Sequence, residues 1–418
     1  MNPIRTIKGT HDILPVDSKI WQNLESIVYD VCGRFGYEEI RTPVFEETRL
    51  FSRSVGEDSD IVSKEMYSWE DRDGKSLTLR PELTAPVTRA FIQHNLGGQS
   101  PVQRLFYMGP LFRRERPQKG RQRQFHQFGV EAFGSEHPEQ DAEIIAIAWH
   151  ILQKSGLSEN ASLQLNSIGS PECRTAYRDA LKYFIRPNLN QFSQTSQQRF
   201  ETNPLRILDT KSEQEQSLLN GAPKVSDYFT DEDKSHFNSV LSFLDVMNIP
   251  YSINEKLVRG LDYYSRTVFE FSSTALGAQD ALLGGGRYDN LVEKLGGKPT
   301  PGIGFAAGME RFLLAMDEPS LTFKRDIYFV CLDEEGLPTS LALTHQLRQA
   351  GFSVISDPLR RSMKAQMREA NKSGVQFAVI LGETELENGT VVLKNLEKGE
   401  QDDITQSELI QKMQNLTN

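Results

Sequence analysis

The sequence predicts an α+β fold: an antiparallel β-sheet core flanked by helices, with a helical insertion and a C-terminal α/β domain. Three observations carry that prediction. Two strand-like runs, 102–115 and 123–134, bracket a polar loop and make a hairpin candidate. From about 169 to 250 the composition turns helical and rich in Gln and Ser, before strand signals resume at 258–272. Beyond a linker near 317–324, short apolar runs alternate with helical stretches, the pattern of a small α/β unit. The chain has 418 residues, more than the roughly 250–300 at which single cores stop growing. The expected division is a discontinuous first domain, 1–168 and 251–320, an insertion, 169–250, and a last domain, 325–418.

Taken in order, Ile20, Trp21, Leu24, Ile27, Val28, Val31 and Phe35 recur at three- and four-residue steps, so 17–35 is an amphipathic helix that Asp17 or Ser18 caps. After Gly36, the run 37–51 reads as a strand broken by Pro43, a residue tolerated at an edge, bend or interface. Leu77 and Leu79 mark a short strand. The loop ERPQKGRQR, 115–123, is too long for a tight hairpin turn, and long ordered loops in compact domains usually carry function. A helix follows over 141–155, with a basic C-terminal end. The glycine-rich runs ALLGGGRYDNLV and GIGFAAGMERFLLA return to strand, the second opening a helix at Glu310 and Arg311. The last domain alternates strands at 326–332, 352–357, 377–383 and 391–396 with helices at 342–351 and 363–374.

Composition excludes several classes. Hydrophobic residues at 38% and charged residues at 25% allow a packed interior and argue against a disordered or low-complexity chain. No apolar h-region opens the chain and no run of 18 apolar residues occurs, so a cytoplasmic protein with no membrane span is expected. Cys32, Cys173 and Cys331 are too far apart in sequence for a CxxC knuckle, and the seven histidines show no metal-ligand spacing, so no structural metal site is expected. Net charge is −10, so a nucleic-acid partner would need a local basic patch.

Such a patch exists. Arg113, Arg114, Arg116, Lys119, Arg121 and Arg123 face the single Glu115 within eleven residues, an excess of five positive charges between two strands. Guanidinium forks bind phosphate oxygens bidentately, and strand-anchored arginines hold that geometry. Phe125, on the return strand, is suited to stack on a nucleobase.

FRRERPQKGRQRQFHQFGVEAFG, 112–134, resembles motif 2 of the class II aminoacyl-tRNA synthetases in the form found in histidine-tRNA ligases. PGIGFAAGMERFLLA, 301–315, resembles the third class II motif, LVRGLDYYSRTVFEF and GGGRYDNL resemble the two histidine-specific motifs, and GYEEIRTPVFEETRLF, 36–51, is similar to motif 1, the dimer-interface segment. The resemblance spans essentially the whole chain. It implies a class II synthetase-type catalytic core, a C-terminal anticodon-binding domain and a homodimer. The implied activity is attachment of L-histidine to tRNA(His) through a histidyl-adenylate, with ATP and Mg²⁺.

By the same resemblance, Arg113 binds the α-phosphate, Arg121 and Arg311 reach the outer phosphates, Glu115 contacts the adenine amino group, and Phe125 and Arg311 sandwich the ring. Arg259 bridges the substrate carboxylate and the α-phosphate. Glu82, Thr84 and Gln127 are expected on the α-amino group, Glu131 and Tyr264 on the imidazole, with Tyr263 and Tyr288 beside them. Leu83 is a departure, since family members commonly carry Gly there. Arg116, Gln118 and Arg123 are expected on the tRNA acceptor stem, and Arg361 and Lys364 near the anticodon. Two other functions use the same core: a non-catalytic, histidine-sensing paralogue such as the regulatory subunit of ATP phosphoribosyltransferase, and an RNA-binding regulator without turnover.

Overall fold

The computed structural model describes residues 3–56, 61–117, 120–208, 210, 212–258, 263–276, 281–316 and 326–417. It divides into two compact units, Met1–Pro319 and Ser320–Asn418.

In the first unit, α1 (Pro15–Arg34) starts on a proline and buries Leu24, Val28, Val31 and Cys32 along one stripe. Gly36, at φ +74°, lets the chain reverse so that the Tyr37 N–H donates to the Cys32 carbonyl at 2.9 Å. The segment expected to be one broken strand is two: β1 (Glu38–Glu39) and β2 (Phe45–Glu47) lie either side of Pro43 and join different sheets. After α2 (Thr48–Val55), β3 (Tyr67–Glu70) and β4 (Ser76–Leu79) pair antiparallel and, with β2, make a three-stranded sheet.

α3 (Thr84–Gln93) leads into the expected hairpin of β5 (Gln103–Phe112) and β6 (Gln124–Phe133), paired without a bulge from Gln103↔Phe133 to Phe112↔Gln124. Then come α4 (Pro138–Lys154) and β7 (Ala161–Ser167), a strand the sequence reading did not anticipate because only Leu163 and Leu165 mark it. Four longer helices follow: α5 (Pro171–Ile185), α6 (Gln194–Thr202), α7 (Glu213–Leu218) and α8 (Asp231–Val246). The unit continues with β8 (Ser252–Ile253), β9 (Ser265–Ser273), β10 (Ala281–Arg287), α9 (Leu291–Lys294), β11 (Gly302–Gly308) and α10 (Met309–Ala315).

Eight of these strands form one sheet in the order β1-β5-β6-β11-β10-β9-β7-β8, antiparallel from β5 to β7 and parallel at both edges. Alternation along β5 and β6 sends Phe106, Phe128 and Val130 to one face, where α1, α4 and α8 supply Val28, Ile144 and Val240. Leu105, Tyr107 and Phe133 go to the other face, beside Leu83, Tyr264 and Tyr288. Residues of α5–α7 have their own apolar cluster around Tyr177, Phe200, Ile207 and Val225, whereas Phe237, Val240 and Leu244 of α8 belong to the main core.

A buried ionic network ties α4 and α8 to β10. Arg287 is fully buried, and its Nε donates to Asp141 Oδ1 at 3.0 Å while its Nη1 reaches Asp289 at 3.1 Å. His236 Nε2 lies 2.9 Å from Asp141 Oδ2, and these partners hold the Asp141 carboxyl below its ordinary value despite its burial. Removing one partner of a buried pair strands the other charge. Asp141→Ala is therefore expected to lower the unfolding free energy by about 3–5 kcal/mol, read from urea denaturation. A loss under about 1 kcal/mol would show that another group compensates Arg287.

The second unit contains β12 (Ile327–Cys331), α11 (Leu337–Gln349), β13 (Val354–Ser356), α12 (Met363–Lys372), β14 (Phe377–Leu381), α13 (Glu383–Asn388), β15 (Thr390–Asn395), β16 (Gln401–Thr405) and α14 (Leu409–Thr417). Its sheet runs β13-β12-β14-β15-β16, parallel in the first three strands and antiparallel in the last two. The polar β16 was not anticipated. The fold is the expected α+β one, with a largely antiparallel sheet in the first unit and a separate α/β unit.

Candidate active site

On the face of the large sheet opposite α1, a cavity of about 480 Å³ opens between β5, β6, β10 and β11, α3 and the start of α10. Its floor follows from the period of a strand: on β6, residues 125, 127, 129 and 131 share a face, so Phe125, Gln127 and Glu131 line the cavity. Gly129, the member of that set without a side chain, leaves room for the Tyr107 hydroxyl, which a Cβ there would meet at 2.3 Å. Gly304, paired with Glu131 on the neighbouring strand, clears the carboxylate itself, since its Cβ would lie 1.8 Å from Glu131 Oε2.

One end of the cavity is cationic. Arg113 leaves the end of β5, where its backbone N–H donates to the Arg123 carbonyl at 2.9 Å and its Nε donates to the Pro81 carbonyl at 2.9 Å. Its guanidinium carbon stands 5.2 Å from the centre of the Phe125 ring. Arg311 is fixed by Nη1 on the Ala281 carbonyl at 2.8 Å, and burial together with the nearby Arg121 lowers its pKa. Glu115 lies between Arg121, at 3.3 Å, and Arg113, at 3.8 Å.

The other end carries two buried carboxylates, Glu82 and Glu131. Glu82 accepts the backbone N–H groups of Thr84 (2.7 Å) and Ala85 (3.0 Å) at the start of α3. Burial raises its carboxyl to about 7, against the pull of those bonds and of Arg113. Glu131 is ringed by hydroxyls: Thr84 Oγ1 donates at 2.7 Å, Tyr107 at 3.1 Å, and Tyr288 bonds the second oxygen. Burial nevertheless pushes Glu131 up to about 8. Tyr263 packs against Tyr264 and Tyr288, with ring centres 4.7 and 5.6 Å away, and Arg174 of α5 donates to the Tyr264 carbonyl at 2.7 Å. Leu83 is buried with Val87 and Phe91, which accounts for an apolar side chain at that position.

One polar atom facing this cavity, Gln127 Oε1, is buried with no hydrogen-bond partner among the described residues. Buried polar atoms are normally satisfied, so a polar ligand is its natural partner.

Of the residues expected to hold nucleotide or amino acid, Glu82, Thr84, Arg113, Glu115, Arg121, Phe125, Gln127, Glu131, Tyr263, Tyr264, Tyr288 and Arg311 all line this one cavity. Arg259 lies outside the described residues, as does Gln118. Sequence reasoning missed Tyr107, Glu310, Arg199 and Arg206; the last three also line the cavity, Arg199 and Arg206 from the α6 region. Arg116 is exposed beyond β5. Arg123 is half-buried, its backbone N–H on the Gly9 carbonyl at 2.7 Å. In the second unit Arg361 is held by Asp357 at 2.6 Å, while Lys364 is exposed on α12.

A histidyl-tRNA synthetase family model matches residues 9–312. The chain belongs to the histidyl-tRNA synthetase family. An anticodon binding domain model matches 326–416, the second unit. Among histidyl-tRNA synthetase relatives, the histidine–tRNA ligase of Halothermothrix orenii is 45% identical over 417 residues, 99% of each chain. That of Halalkalibacterium halodurans is 47% identical over 417 residues, 98% of this chain and 97% of its own. The apo histidyl-tRNA synthetase of S. aureus superposes with a TM-score of 0.84 at 37% identity, covering 98% of this chain and all of that one.

Proposed function

We propose that this chain attaches L-histidine to tRNA(His) at the expense of ATP, through a histidyl-adenylate, releasing AMP and pyrophosphate. The observation that carries the proposal is a single cavity with fixed guanidinium groups at one end and a hydroxyl-ringed carboxylate at the other. In the first step a histidine carboxylate oxygen bonds to the α-phosphorus and the bond to the β-phosphate oxygen breaks. Both reactants are anions, so cations fixed in advance lower the barrier most. Arg113 and Arg259 take the α-phosphate, Arg121 and Arg311 the outer phosphates, and Glu115, Phe125 and Arg311 the adenine. Glu82, Thr84 and Gln127 hold the ammonium, while Glu131 and Tyr264 hold the imidazole within the wall of Tyr263 and Tyr288. In the second step the terminal ribose hydroxyl of the tRNA attacks the activated carbonyl, loses its proton, and AMP leaves.

Glu82, Glu131 and Glu310 accept from N–H and hydroxyl donors, and no group of three His, Cys, Asp or Glu side chains suited to a metal occurs among the described residues. Mg²⁺ is accordingly assigned to the phosphates of the incoming nucleotide. A homodimer is supported by the apolar side chains left exposed at Phe45 and Trp69, on the strands that follow Pro43, and at Ile4 and Ile7. Among the described residues no helix is long and apolar enough to cross a membrane.

Histidine-dependent exchange of pyrophosphate into ATP tests the proposal. Exchange that needs histidine, ATP and no tRNA is the expected result; its absence in pure, folded protein would instead favour a histidine sensor. Arg116, Gln118, Arg123, Arg361 and Lys364 are assigned to tRNA. Lys364→Ala is expected to retain exchange, raise the KM for tRNA several-fold and lower the log–log salt slope by about 0.7–0.9, one phosphate contact. An unaltered slope would return Lys364 to the solvated surface.

A further inference from the structure

We propose that Glu310 and His126 form a positioning pair that sets the distance between the two walls of the adenine site, an inference that rests on the assignment of Phe125 and Arg311 to adenine. The ladder between β11 and β6 ends at Gly308↔Gln127, where the chain leaves the sheet and turns into α10. His126 is the next residue of β6 past that last pair, and no carbonyl of β11 faces its N–H. Glu310 takes the carbonyl's place: both carboxylate oxygens accept the His126 backbone N–H, at 2.9 and 3.0 Å. The same carboxylate lies 3.0 Å from His126 Nδ1, and the imidazole is held from behind by the edge of Trp21, ring centres 4.9 Å apart at 78°.

What this clamp joins gives it a function. Phe125 immediately precedes His126, and Arg311 immediately follows Glu310. One side chain therefore bridges two elements, from the first turn of α10 to the main chain of β6, at the point where strand pairing has stopped fixing their separation. A ring inserted between Phe125 and Arg311 needs that separation constant, because a gap of about 0.5–1 Å already forfeits a quarter to a half of the dispersion attraction on that face. Glu310 also lines the cavity, so it acts at the site's own wall. It touches the protein rather than the reacting atoms in this arrangement, which makes it a positioning residue and not a catalytic one.

The test is a double-mutant cycle on pyrophosphate exchange with Glu310→Ala, Phe125→Ala and the pair combined. Glu310→Ala is expected to raise the KM for ATP about tenfold while the KM for histidine stays within about twofold. In the Phe125→Ala background the same change is expected to add less than about twofold, because the two residues act through one contact. Glu310→Gln keeps an acceptor oxygen for the His126 N–H and is expected to restore most of the ATP affinity. Glu310→Asp keeps the charge and shortens the reach, and serves if the alanine variant fails to fold; a rise in the KM for ATP alone is expected. Equal rises in both KM values, full additivity in the cycle, or a normal KM for ATP in Glu310→Ala or Glu310→Asp would overturn the pairing. A normal KM for ATP in Phe125→Ala would overturn the adenine assignment itself, so the two failures are distinguishable.

Discussion

Arg113→Ala is expected to reduce histidine-dependent pyrophosphate exchange by about 10²–10³-fold, the cost of deleting a preorganised donor at a developing charge. The size follows from how firmly the side chain is set. Its backbone closes the hairpin through Arg123, its Nε is spent on the Pro81 carbonyl, and the face of its guanidinium rests near Phe125. The remaining N–H groups then point at the cavity with little freedom left to lose. Pyrophosphate exchange at saturating histidine is the measurement, with the thermal midpoint recorded alongside. Arg113→Lys is expected to rescue little, because one ammonium cannot hold Pro81 and a phosphate oxygen together. Activity within about threefold of the parent in Arg113→Ala would remove Arg113 from the reaction.

What the sequence revealed of this arrangement divides along a physical line. Local patterns were legible: the helical period of α1, the hairpin of β5 and β6, the alternation of the second unit, and the charge excess between 113 and 123 are all properties of neighbouring residues. Arg113, Phe125 and Glu131 could be nominated because they lie in that contiguous stretch and carry its family resemblance. Residues whose role depends on a distant partner were not legible. Tyr107 alternates as an ordinary strand residue, and only the fold brings its hydroxyl to Glu131. Glu310 reads as an acidic helix start until β6 is placed beside it. Arg199 and Arg206 sit in a Gln- and Ser-rich helical stretch with no motif, yet the chain brings them to the cavity wall. That the Thr84 hydroxyl bonds Glu131 is likewise visible only once the fold is in place.

Glu131→Gln is expected to raise the KM for histidine by about 10- to 100-fold, the value of a hydrogen bond to a charged acceptor. Burial outweighs the three hydroxyls, so Glu131 holds its proton up to about pH 8 instead of releasing it near 4.5. An imidazole N–H needs an acceptor, and the ionised carboxylate is the better one. Binding histidine therefore favours the form that has lost the proton, and below about pH 8 that proton must leave on binding. The sign follows: as pH rises from about 6.5, where the substrate's own imidazole is half neutral, towards about 8, the KM for histidine falls, and above that it levels. Glu131→Gln has no proton to release, so its KM is high and nearly flat across the same range. Folding stability shifts the opposite way, since a carboxyl whose folded pKa is raised stabilises the native state at low pH and loses that contribution as pH climbs through about 8. Tighter substrate binding and a weaker empty fold are thus expected over the same interval, from one group. A Glu131→Gln variant whose KM for histidine retains the parental slope would assign the titration to Glu82, the other buried carboxyl of the cavity, which burial raises to about 7.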